Sequence, residues 1–92
     1  MAVQSKMPRI SQFFGITIYM YHGDHDPPHF HAKYAGREAQ LSIETLDILK
    51  GALSRRARGL VVDWALQYRE ELLANWELAR QGRDLMDIPP LD

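Results

Sequence analysis

Apolar and polar positions alternate along Ile16-Thr17-Ile18-Tyr19-Met20-Tyr21, sending Ile16, Ile18 and Met20 to one face and Thr17, Tyr19 and Tyr21 to the other. That two-residue period predicts a β-strand over about 16–21. A shorter strand over about 9–14 precedes it, with Gly15 after Phe13-Phe14 marking a turn or bulge. A second pair of alternating runs, about 29–34 and 37–43, flanks the dipeptide Ala35-Gly36 and reads as a tight hairpin. A two-residue loop fixes the register: His29 faces Ser42, Phe30 faces Leu41, His31 faces Gln40, Ala32 faces Ala39, Lys33 faces Glu38 and Tyr34 faces Arg37. Phe30, Ala32, Leu41 and Ile43 then form the core side, while His29, His31, Lys33, Glu38, Gln40, Ser42 and Glu44 share the opposite side. Lys33 opposite Glu38 reads as an exposed ion pair worth a few tenths of a kcal/mol.

Leu46, Ile48 and Leu49 either extend the sheet or begin a turn, with Gly51 as punctuation. Beyond Gly51 the period changes. Leu53, Ala57, Leu60, Val61, Trp64, Tyr68, Leu72, Trp76 and Ala79 recur at steps of three and four, the stripe of an amphipathic helix over about 53–81. Ser54 suits the N-cap and Gly82 the C-terminal stop. An unbroken helix of that length would reach about 42 Å, so a bend or break is expected, at Gly59 or at Tyr68-Arg69, where Glu70-Glu71 would suit the first turn of a second helix. The pattern therefore predicts an α+β domain over residues 8–82: an antiparallel sheet of three or four strands, one face under the helical segment and the other carrying the histidines. Residues 1–7 read as a disordered extension and 83–92 as a tail.

Composition narrows the class. At 92 residues the chain supports one small core, and 46% hydrophobic with 25% charged residues excludes a disordered chain. No apolar run approaches a membrane span of about 20 residues and none begins the chain as a secretory signal, which makes the cytoplasm the expected location. Zero cysteines exclude disulfides and thiolate zinc sites, so a metal would be held by nitrogen and oxygen. A net charge of −1 gives no overall pull toward nucleic acid; Arg55, Arg56 and Arg58 form one local basic cluster, read either as a binding patch for nucleic acid or as a solvated helix face.

All four histidines fall within Tyr21-His22-Gly23-Asp24-His25-Asp26-Pro27-Pro28-His29-Phe30-His31. Histidine as neutral imidazole is the commonest metal ligand and also the usual acid–base group near neutrality. On one strand face, His29 and His31 stand about 7 Å apart and can converge on one ion, with His25 from the loop as third ligand. His22, Asp24, Asp26, Glu44 or water would fill the remaining positions, and zinc, nickel or iron would suit such a donor set. A metal-independent reading makes His29 and His31 the acid and base of a ribonuclease-like phosphodiesterase, with Lys33 stabilising phosphate charge and Tyr19 or Tyr21 stacking a base of RNA. A non-enzymatic reading makes the sheet face or the Trp64, Tyr68 and Trp76 stripe a dock for a partner protein or a second copy in a homodimer. The plainest reading has the histidines, Asp24 and Asp26 holding the loop by backbone hydrogen bonds.

Pro8-Arg9-Ile10-Ser11, Phe13-Phe14-Gly15-Ile16, Asp24-His25-Asp26-Pro27-Pro28-His29-Phe30-His31-Ala32 and Tyr34 together resemble a bacterial family of short domains catalogued as a domain of unknown function, serial number forty-one-sixty. Trp64, Glu71-Leu72 and Trp76 are similar to its helical half. The resemblance implies Met7 as the usual start, with Met1–Lys6 upstream of it, and leaves His22 outside the matched core. It also implies a cognate partner, because members are often encoded beside a second small domain in an arrangement similar to a toxin–antitoxin pair. The family supplies no established catalytic residue.

Overall fold

Five antiparallel strands in sequential order form one sheet: β1 (Arg9–Phe13), β2 (Ile16–Tyr19), β3 (His29–Tyr34), β4 (Arg37–Ser42) and β5 (Ile48–Gly51). Helices α1 (Arg55–Gln67) and α2 (Arg69–Arg80) follow. The computed structural model describes residues 8–92; the arm expected over residues 1–7 and the start at Met7 lie outside the described residues.

Each local device of the sequence has its counterpart. Ala35 and Gly36 both take positive φ, 52° and 79°, as a two-residue turn between twisted strands requires, and β3 pairs with β4 in the predicted register from His29↔Ser42 to Tyr34↔Arg37. Alanine lacks the freedom of glycine or asparagine in that left-handed region. Ala35→Asn should therefore stabilise the domain by about 0.5–1 kcal/mol, read as a higher urea midpoint at unchanged slope.

The sheet has one strand more than expected. β5 pairs with β4 through Gln40↔Lys50 and Leu41↔Ile48, with a bulge between, and its burial does not alternate because only Ile48 of its four residues packs against the core. Gly51 ends it at positive φ; a Cβ there would collide with the Glu38 carbonyl.

The helical segment is two helices. Ser54 Oγ accepts the Ala57 N–H at 3.1 Å to start α1, and Tyr68, at φ −123° and ψ 29°, breaks the segment where Glu70 and Glu71 open α2. Gly59 stays helical. Trp64 packs on Phe13 and Phe30, so α1 covers the apolar sheet face, and Leu72 and Trp76 of α2 join the same core. Residues 83–92 form no helix or strand, yet they are packed. Ile88 is buried and donates its N–H to the Ile10 carbonyl, Asn75 holds both backbone groups of Met86 at 2.9 Å, and the Trp64 indole N–H donates to the Pro89 carbonyl at 2.8 Å. Among the described residues no helix is long and apolar enough to cross a membrane.

Candidate metal centre

Two features of β3 create the site. Its alternation sends His29 and His31 to the face away from α1, and the hairpin returns β4 so that Glu38 stands diagonally across from His31 on that face. The loop before β3 then folds back over them. Gly23 donates its N–H to the Ala79 carbonyl at 3.0 Å and His22 Nε2 donates to the Arg83 carbonyl at 2.8 Å, anchoring the loop to the end of α2. Between those anchors and β3, Asp24 turns inward.

Asp24 Oδ2 lies 2.9 Å from His29 Nε2 and 3.4 Å from His31 Nε2. Ligand atoms of all three residues lie within 4.8 Å of one another. The outer atoms are already held. His29 Nδ1 donates to the Pro27 carbonyl at 2.7 Å, His31 Nδ1 meets Glu38 Oε2 at 3.3 Å, and Asp24 Oδ1 accepts the His25 backbone N–H at 2.9 Å.

This accounting leaves a surplus of lone pairs. A carbonyl can only accept, so His29 carries its proton on Nδ1, and a neutral His31 that donates to Glu38 likewise carries it there. Both Nε2 lone pairs of the neutral rings then face the same carboxylate oxygen, a repulsive arrangement that is relieved either by a second proton on the rings, which then donate to Asp24, or by one cation among the three. At metal–ligand distances of 2.0–2.2 Å, neighbouring ligands stand about 3.0 Å apart in octahedral and about 3.4 Å apart in tetrahedral geometry, close to the two Asp24–histidine spacings here. Outer-nitrogen contacts to a backbone carbonyl and a carboxylate are also what metal-bound histidines make.

On that face the two histidines themselves are buried. His29 and His31 are 4% and 3% exposed. Tyr19, directly opposite His31, stacks on it at 5.2 Å; Tyr21 stands edge-on at 4.6 Å, and Trp76 packs against His29 at 5.2 Å. Tyr19 is thus committed to His31. Water reaches the group at Asp24, whose side chain is 15% exposed, and at Glu38. Burial raises the Asp24 pKa, but the His25 N–H, the His31 ring and the His29 ring outweigh it and hold the carboxyl below the usual range. Burial, and then the neighbouring Glu38 carboxylate, push the Tyr19 hydroxyl up.

Of the other residues singled out by the sequence, His25 keeps its backbone on Asp24, but its ring is 95% exposed and lies 3.3 Å from Oδ1, outside the cluster. His22 serves the loop anchor, and Asp26 and Glu44 are exposed. Lys33 is exposed, and Glu38, its cross-strand neighbour, pairs with His31 instead. Arg55, Arg56 and Arg58 are exposed on the first turns of α1 with no acidic residue in its first turn. Sequence reasoning missed Glu38 and Trp76 as neighbours of the histidines. The hairpin register contained the first, as a diagonal contact; nothing local signalled the second.

The family described as "Domain of unknown function (DUF4160)" matches residues 15–77, more than half of the chain. The chain belongs to that family. The matched stretch contains Asp24, His29, His31 and Glu38 and ends before the packed segment that follows α2. Among curated proteins and solved structures, none matches significantly.

Proposed function

We propose that this DUF4160 domain binds one divalent transition metal through Asp24 Oδ2, His29 Nε2 and His31 Nε2. One observation carries the reading: two imidazole Nε2 atoms and a carboxylate oxygen converge, with the opposite ring nitrogens and the second carboxylate oxygen already engaged. A two-histidine, one-carboxylate set suits iron(II) or zinc, with nickel compatible, and three protein ligands leave a position open for water or substrate. Calcium and magnesium would prefer more oxygen.

The metal-independent phosphodiesterase draws less support. Its acid and base would be rings sealed beneath aromatics, with one nitrogen of His29 spent on a backbone carbonyl. Docking through the tryptophan stripe also loses ground, because Trp64 and Trp76 are buried in the core. A toxin–antitoxin-type role, with its cognate partner, rests on the family's gene arrangement; co-purification with the neighbouring gene product tests it separately.

Elemental analysis of protein purified without a histidine tag decides the metal. About one equivalent of zinc, iron or nickel is expected, lost in His29→Ala/His31→Ala and kept in His25→Ala. Wild-type protein that holds no metal and takes up none on titration would overturn the reading. Glu38→Ala should weaken metal affinity about 10–100-fold in a chelator competition, with Glu38→Gln intermediate because its carbonyl oxygen still accepts from His31 Nδ1.

A further inference from the structure

Cross-strand pairing aligns Arg9, Tyr19, His31, Gln40 and Lys50 in one row across all five strands, and Gln12, Thr17, Lys33 and Glu38 in the next. Opposed residues share a face, so both rows lie on the side away from α1. Outside the buried Tyr19 and His31, that side meets solvent: Arg9, Gln12, Lys33, Glu38 and Lys50 are exposed, and Thr17 and Gln40 half-buried. A shallow groove of ≈ 190 Å³ runs over Glu38, Gln40 and Lys50.

The charges on this face do not cancel. Arg9, Lys33 and Lys50 form no ion pair among the described residues, while the carboxylates Glu38 and Asp24 on this face are turned to the histidines. Arg9 gives one N–H to Gln12 and shares a groove with Asp87, so Lys33 and Lys50 carry the larger share. The exposed large apolar residues, Phe14, Leu49, Leu66, Leu73 and Met86, all lie off these rows, which removes the buried anchors a protein partner would use. At about 4.8 Å per strand the row is about 19 Å long. A duplex groove admits a helix or a two-stranded ribbon, not a sheet face of that breadth.

We propose that this face binds the phosphate backbone of a single-stranded nucleic acid laid across the strands, over Lys33 and Lys50 toward Arg9, with the half-buried Tyr21 available to stack a base. Glu70, Glu71 and Glu77 lie on α2 and not in these rows, so a net charge of −1 is compatible with local attraction here. Binding here requires no metal, although the strand would pass beside Tyr21, which packs on the ligand His31.

Fluorescence anisotropy with labelled polyuridine RNA of about 12 nucleotides, in EDTA, tests the face apart from the metal. Three phosphate contacts predict a log–log salt slope near −2, and Lys33→Glu/Lys50→Glu should weaken binding at least ~10-fold and flatten that slope. Arg55→Glu/Arg58→Glu, on α1, should change little. A thymidine oligomer of equal length reads RNA against DNA; either binding supports the face. No binding of either at low salt, equal binding of a duplex or of polyglutamate, or loss confined to the arginine variant would overturn the proposal.

Discussion

Trp64→Ala is expected to cost about 3–5 kcal/mol, a large fraction of the about 5–15 kcal/mol that holds a domain folded. Trp64 is fully buried, and its ring lies within 6.0 Å, centre to centre, of Phe13, Phe30 and Tyr68, so truncation opens a cavity where β1, β3 and the helix break meet. Its N–H donates to the Pro89 carbonyl, so the loss also releases the segment after α2. Trp64→Phe separates the two parts, keeping much of the ring contact while leaving Pro89 without its donor, at about 1–2 kcal/mol. Urea denaturation followed by circular dichroism reads both; a Trp64→Ala change under 1 kcal/mol would contradict this core.

Asp24→Asn is expected to lose metal affinity by more than the about 10–100-fold that follows removal of an outer partner, since it deletes the one anionic ligand. Metal at about 100 times its dissociation constant would stabilise the wild type by about 2.7 kcal/mol, and the variant forfeits that increment. For a domain of this size the difference amounts to roughly 10–20 °C in Tm, absent when both proteins are measured in chelator. Chelated samples expose a second effect with a definite sign. Because the folded-state pKa of Asp24 lies below its unfolded value near 3.9, its carboxylate contributes stability above that value. The contribution is lost as pH falls through the lower folded value, and the variant should lack that acid limb. An unchanged thermal shift on adding zinc or iron to Asp24→Asn would exclude Asp24 as a ligand.

What the chain disclosed about itself follows the range of the forces involved. Ala35-Gly36 and the alternation around it specify a local turn and a register in which each side chain has a single partner, so the strand carrying His29 and His31 could be read in full. The break at Tyr68 was marked by Glu70 and Glu71, again a local signal. β5 carried no such mark, since only Ile48 of its four residues packs on the core and a single buried position imposes no period. Asp24 was one of several loop acids, and its inward turn depends on Gly23 and His22 reaching the far end of α2, contacts between positions some sixty residues apart. His25 looked the better ligand because spacing alone ranks residue types; backbone direction, set by those remote anchors, sends its ring to solvent.

The segment beyond α2 bears on where this domain can be cut. A boundary drawn at the end of the family match, Glu77, would remove Met86, Ile88 and Pro89 together. Asn75 would then face an empty slot with its amide unbonded, the Trp64 N–H would lose its acceptor, and the edge of β1 at Ile10 would open to neighbouring chains. A fragment trimmed to the matched residues would therefore be a sticky, half-closed body, and its failure in solution would say nothing about the metal centre.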